Sequence, residues 1–352
     1  MKWGKVCCPY PRPLCLRIVR PVKTLPLVAT VIGVFAVSMA APYILLSEVQ
    51  PYALAAWRLL SVALILSPFA LAPLLTDLAR LGAGERIKLL ASGLTYGAHF
   101  AFFALAFGYT SKESVVVLIG AQPLMAMAIG RVFLGEAITR SMLGATALSL
   151  LGLGLFVWND YSFDPGHLWG DAMVLICGLL IVISYAIGRR LRPRMKLTSY
   201  LFSLYLLGGL GCLAAALVAG NALWGFHWVN WYYLGCAIII PTLIGHSMFH
   251  YVVKYVPVFY VNLAILAEPV IAIIVMLLFR ERFEVFRASE LTGLQALGGA
   301  LLLAGVAMGL GVARKAKGDG YEQDHKPAAG GRGPDADPQQ PERAGKPAAS
   351  ES

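Results

Sequence analysis

The sequence predicts an all-α, polytopic membrane protein, with ten transmembrane helices arranged as two inverted five-helix repeats. Three observations carry that reading. Of 352 residues, 58% are hydrophobic and 14% are charged, with mean hydropathy +0.70, whereas soluble domains carry roughly 25% charge. Apolar runs close to the ~20 residues that a spanning helix needs recur ten times along the chain. The order of polar residues in the first five runs also returns in the last five.

Residues 1–24 hold Lys2, Lys5, Arg12, Arg17, Arg20 and Lys23 and no acid, so they read as a basic cytoplasmic segment. The apolar run that follows, 25–46, is too long for the core of a secretory signal and is a first spanning helix. Further runs lie at 51–75, 87–108, 113–133, 141–158, 170–188, 197–220, 231–253, 259–279 and 291–312, joined by short connectors marked by Pro, Gly or charge. The first repeat is 25–158 and the second 170–313. From 314 to 352 the chain is rich in Pro, Gly, Ala and charge, cannot bury enough apolar surface to offset its ordering entropy, and reads as a disordered cytoplasmic tail.

An even number of spans puts both termini on one side. Of the 29 basic residues, 24 fall on the side that holds the termini, against Lys112, Arg280, Arg282 and Arg287 on the other. Both termini are therefore expected in the cytoplasm, with the protein in the plasma (inner) membrane. The six cysteines (7, 8, 15, 177, 212 and 236) have neither metal-ligand spacing nor a disulfide framework.

Within the ninth run, Glu268 stands directly before Pro269 in an otherwise apolar stretch. A carboxylate at mid-bilayer costs about 2.5 to 10 kcal/mol, so such a residue is a functional candidate unless it pairs within a packed bundle. The fourth run carries the same arrangement, with Gln122 before Pro123. Each proline removes a helical donor and frees the carbonyl four residues earlier, at Ile119 and Ile265. Free carbonyls at that depth must face protein or water, so both kinks are expected to face the interior.

The correspondence extends backwards. Thr95 and His99 sit four apart in the third run, as do Thr242 and His246 in the eighth, and the histidines precede Gln122 and Glu268 by 23 and 22 positions. Five spans per half force the second half to insert upside down relative to the first. Inverted repeats of this kind mark secondary transporters whose substrate site lies near the midplane.

Thr95, His99, Gln122, Thr242, His246 and Glu268 are thus candidates for substrate or coupling contacts, the histidines having a hydrogen bond to the preceding threonine as their structural alternative. Arg58, about seven residues below the outer surface, can bind a substrate carboxylate, snorkel, or pair with Glu48 or a helix carbonyl. His246 and His250 share a helix face but lack the further ligands of a metal site. Asp171 complements a helix N-terminus. Trp224, Trp228, Trp231, Tyr232 and Tyr233 form an interfacial belt.

These residues resemble the drug/metabolite transporter superfamily with its paired EamA-type repeats. The likeness lies in Pro51 with Trp57-Arg58, Tyr109-Thr110-Ser111, Gly135-Glu136 after Pro123, Leu143-Gly144-Ala145, Glu268-Pro269, and the stretch from Leu297 to Val306. It departs where the ninth run ends in Arg280-Glu281 instead of Gly-Glu. The resemblance implies ten helices and secondary transport or export of small metabolites such as amino acids.

No phosphate loop, activated nucleophile or enzymatic carboxylate pair is present, which argues against an enzyme, and nothing calls for a cofactor or a metal. The partners expected are a small-molecule substrate and membrane lipid, with no nucleic acid and with a homodimer left open. The second class of function, a non-transporting receptor or scaffold that keeps the fold, would not need a mid-membrane carboxylate; a carrier coupled to protons would.

Overall fold

The computed structural model of the chain describes residues 24–158, 165–283 and 292–324. Among them, nine helices are long and apolar enough to cross a bilayer: Leu25–Ser47, Pro51–Arg80, Ala83–Ala106, Val117–Leu134, Leu168–Leu191, Leu197–Val218, Trp228–Val252, Val258–Leu278 and Gly293–Gly311. The fifth run forms a shorter apolar helix, Arg140–Phe156, of 17 residues. At ~1.5 Å per residue it reaches about 25 Å, close to the ~30 Å hydrocarbon core. Taken in chain order these are the ten spans of a multi-pass membrane protein. Their outward faces carry exposed apolar side chains such as Leu64, Phe69, Val132 and Leu278, as a lipid-facing surface requires.

Helix pairing repeats between the halves. The second span packs on the seventh, the fourth on the ninth and the fifth on the tenth, while the third meets the sixth as the first meets the eighth. A twofold relation between two oppositely inserted repeats generates this set of pairs. Small residues bring backbones together at two of the crossings. A Cβ added to Gly97 on the third span would lie 2.6 Å from the Cα of Gly208 on the seventh. On the fifth and tenth, one added to Gly152 would lie 2.6 Å from the Gly298 carbonyl, and one on Gly305 2.6 Å from the Ser149 nitrogen.

Prolines interrupt the spans where the sequence expects. The fourth is helical over Lys112–Ile119 and again over Gln122–Ile129. The ninth is helical over Val258–Ile265 and Glu268–Leu278. Both breaks tighten in the same way: Ala121 N donates to the Leu118 carbonyl at 3.1 Å, and Ala267 N to the Ala264 carbonyl at 3.1 Å, three-residue spacings that take up the slack before each proline. The eighth span has a break of another kind, a π-helical segment Ile238–His246 containing Pro241. Such segments cluster at functional sites.

The fourth span ends on Gly135, whose φ of +69° closes the turn in the left-handed region that favours glycine. This turn folds Glu136 back beside Gly130. Arg280, in the corresponding place of the second repeat, is followed by an exposed Glu281, so the two repeats end differently.

The last helix continues from Gly293 to Asp324, so the first part of the segment expected to be disordered is helical. Its ARKAK stretch consists of good helix formers, which carries the span past its apolar end. Residues 325–352, the N-terminal segment before Thr24, and Glu284 to Leu291 of the charged loop lie outside the described residues.

Candidate functional site

Both halves of the chain wall a cavity of about 40 Å³ at mid-depth, room for a few waters. Arg58, His99 and Gln122 come from the first repeat, and His246 and Glu268 from the second. Ile119 and Ile265, the residues four before the two prolines, line the same space. The kinks therefore open on the interior.

Each polar group is held differently. His99 Nδ1 lies 3.0 Å from the Cys177 carbonyl on the sixth span. A carbonyl only accepts, so Nδ1 carries the proton, and in the neutral ring Nε2 is the remaining acceptor. His246 stands across from His99 with ring centroids 6.2 Å apart and packs on Phe100 at 4.9 Å. Equivalent residues of the two repeats thus face each other. Gln122 is buried, and its Oε1 has no partner within the protein.

Arg58 is the residue whose place differs most from expectation. It is 4% exposed and its guanidinium carbon sits 4.6 Å over the Phe100 ring, an arrangement favourable for a cation. Its Nε donates to Thr242 Oγ1 at 2.9 Å, and Thr242 Oγ1 in turn donates to the Ala237 carbonyl at 2.7 Å. Ala237 precedes the π-helical segment, whose five-residue register pairs its carbonyl with the Thr242 N–H in place of the donor that Pro241 lacks. One proline thus shifts the register of the helix, the next residue's hydroxyl adds a second donor to the carbonyl five before it, and that hydroxyl fixes the arginine. The Tyr205 hydroxyl completes the mount by donating to the Thr242 carbonyl at 2.8 Å.

Among the described residues Arg58 forms no ion pair, so neither the pairing with Glu48 nor snorkelling describes it. Its sequence neighbour Trp57 donates through Nε1 to the Leu223 carbonyl at 2.9 Å, and packs edge-on against Trp224 and Trp231 with centroids 4.7 and 5.1 Å away. That cluster lies at the Pro51 end of the span, where part of the expected aromatic belt folds against the 219–227 loop.

Thr95 and Thr242 part ways despite their equivalent positions. Thr95 turns back on its own helix, donating to the Ala91 carbonyl at 2.8 Å, and does not line the cavity. Thr242 is fully buried and acts through Arg58. The first repeat has Leu94 where the second has Pro241, so the third span keeps its α-helical register and Thr95 reaches the carbonyl four residues back, where Thr242 in the π segment reaches the one five back. Asp171, at the start of the sixth span, accepts from the Thr110 hydroxyl at 2.5 Å and ties that helix to the loop before the fourth.

The sequence reading did not single out Phe100, Phe103, Tyr185 or Phe249, which supply the aromatic walls of the cavity. Helical spacing is a signal for two of them, since Phe103 follows His99 by four and Phe249 follows His246 by three, whereas Phe100, next to His99, and Tyr185, on another span, carry no such signal.

A family model described as the EamA-like transporter family matches residues 23–158 and again 168–310. The chain belongs to the EamA-like transporter family. The two matched segments are the two halves whose helices pair across the molecule. No curated protein matches the chain. Among solved structures, one described as "Crystal structure of protein" superposes with a TM-score of 0.65 at 18% identity, covering 82% of this chain and 98% of that one. At that identity the likeness shows the fold alone. In this EamA-like transporter the cavity lies where the inverted repeats meet, the place at which carriers of such architecture hold substrate.

Proposed function

We propose that this EamA-like transporter is a secondary carrier that exports small zwitterionic metabolites, amino acids or related compounds, across the plasma (inner) membrane, with both termini in the cytoplasm. One observation carries the reading: a cation, Arg58, and a carboxylate, Glu268, line one aromatic-walled cavity without forming an ion pair. A bound zwitterion would satisfy both, its carboxylate toward the guanidinium and its ammonium toward Glu268. Leaving either charge buried without a partner is costly, which favours occupancy by a ligand of matching charge.

The proline breaks support alternating access, because helices interrupted at mid-depth can rearrange either half while the other stays packed. Glu268 can also take up a proton when the substrate leaves. One residue then serves recognition on one stroke and coupling on the other. Export is the direction that the family resemblance supports.

Purified protein in liposomes tests this, with proton-driven uptake and counterflow measured side by side for radiolabelled amino acids presented singly. Wild type is compared with Glu268→Gln and Glu268→Ala at matched protein levels. Glu268→Gln keeps the shape but stays neutral, so gradient-driven accumulation should drop at least tenfold. Wild-type rates in both assays for both variants would leave Glu268 as a packing residue and end the proposal.

A further inference from the structure

Next to the cavity lies a second group of buried polar side chains, centred on His250. Its imidazole is fully buried, and neither ring nitrogen has a hydrogen-bond partner in the protein. The rings of Tyr185, Tyr96 and Tyr200, from the sixth, third and seventh spans, surround it with centroids at 4.8, 5.2 and 5.5 Å. Tyr185 also lines the cavity, as does His246 one helical turn away, so the cluster shares Tyr185 with the cavity wall while His250, Tyr96 and Tyr200 lie behind it. From there a buried chain of hydroxyls leads away: Tyr200 Oη meets Ser92 Oγ at 2.9 Å, which meets Ser184 Oγ at 3.2 Å.

This end of the bundle, which the distribution of basic residues assigns to the cytoplasm, is latched shut. Arg189 Nε lies 2.7 Å from Glu136 Oε1, and its Nη1 donates to the carbonyls of Val253, at 3.0 Å, and Val256. Glu136 belongs to the first repeat and Arg189 to the second. A second pair, Glu85 with Arg194, crosses the same boundary.

We propose that His250 is a proton-binding site that decides whether this end of the transporter can close. The groups that face it are the phenols of Tyr96, Tyr185 and Tyr200; the charges that act on it are the guanidinium of Arg192, at the end of the sixth span, and the imidazoles of His99 and of His246, one helical turn away. Among the described residues no carboxylate stands within ion-pair reach of it. A neutral ring is tolerated in that setting. An imidazolium would present two donors without acceptors and a second positive charge beside Arg192. When this end opens, water reaches the ring, and a wetted imidazole changes charge between about pH 5 and 8. A ring nitrogen that takes a proton from hydronium, releasing water, then blocks closure until the proton leaves. The idea rests on the carrier reading above and adds regulation of the same site.

Glu136 is the rival sensor, and it has the opposite sign. Burial pushes its carboxyl above the usual carboxylate range, with Arg189 opposing. A carboxyl raised by closure binds more protons closed than open, so acid favours closure through Glu136 and opposes it through His250. The direction of the response to pH separates them.

The full chain, with its native cysteines replaced by alanine, is placed in phospholipid nanodiscs with Val253→Cys as reporter. Val253 is fully buried behind the latch. Its labelling rate with N-ethylmaleimide is divided by that of the exposed Lys88→Cys, which cancels the effect of pH on thiol reactivity. The ratio should rise at least fivefold from pH 7.5 to 5.5, stay flat within twofold in His250→Gln and His250→Phe, and still rise in Glu136→Gln and Glu268→Gln. A ratio that is unchanged or falls in the parent overturns the proposal, and so does a rise that persists in His250→Gln. Loss of the rise in Glu268→Gln would place the sensor in the cavity, overturning this inference while leaving the role of Glu268 in transport intact. Thermal midpoints are recorded for every variant; if His250→Phe fails to assemble, the smaller and polar His250→Gln carries the comparison.

Discussion

Replacing Thr242 by valine removes one oxygen and keeps the shape, which makes it the sharpest probe of how the buried arginine is held. Two interactions go together: the acceptor for Arg58 Nε at 2.9 Å and the donor to the Ala237 carbonyl at 2.7 Å. A hydrogen bond to a charged group contributes about 1.5 to 3 kcal/mol, and the neutral bond to a carbonyl that keeps its π-helical N–H about 0.5 to 1.5 kcal/mol. Together these give about 2 to 4.5 kcal/mol, a large share of the 5 to 15 kcal/mol that typically holds a fold together. Thr242→Val should therefore lower the thermal midpoint in detergent by something on the order of 3 to 6 °C. Thr242→Ser keeps the hydroxyl and should lose only about 1 kcal/mol for its missing methyl. A double-mutant cycle with Arg58→Gln isolates the shared bond and should return a coupling of about 1.5 to 3 kcal/mol. Should Thr242→Val melt with the wild type, or should the cycle be additive, the hydroxyl neither mounts Arg58 nor caps the π segment.

Two further expectations concern the frame. Gly97→Ala pushes a methyl into the backbone of Gly208, which cannot yield as a side chain would, whereas Gly154→Ala meets nothing within 4 Å; the first should cut the amount of folded protein in the membrane severalfold and the second should leave it unchanged, as read by fluorescence-detected size exclusion. For the orientation, an impermeant thiol reagent applied to intact cells should label Asn221→Cys and spare Lys196→Cys, and the reverse pattern would invert the assignment of sides.

Much of the fold was legible because a bilayer imposes simple rules: apolar length gives the spans, and basic residues give the expected sidedness. The proline positions also carried through, since a missing N–H at Pro123 or Pro269 has one structural consequence at one carbonyl. The cavity residues Gln122, His99, His246 and Glu268 were readable from the repeat. Arg58 was not, because counting residues from the surface treats the outer water as reachable, while the Trp57 contacts with the 219–227 loop are made between distant parts of the chain. The different fates of Thr95 and Thr242 follow from Pro241, which the sequence contains but periodicity does not weigh. The setting of His250, a residue the sequence offers only as half of a metal pair, stayed hidden for a different reason: it is assembled from three other spans, and only the packed bundle brings their tyrosines to one point.

The backbone contact between the fifth and tenth spans has a consequence for how the protein is made. Gly152 and Ser149 find their partners only at Gly298 and beyond, and Ser149 Oγ reaches the Leu302 carbonyl across 153 positions of sequence. A nascent chain threaded into the membrane in order must hold its fifth helix, the shortest of the ten, beside lipid until the last one leaves the ribosome. During that interval the stripe of small residues has no mate in its own half, and a truncated chain would present it permanently to the quality-control proteases of the membrane.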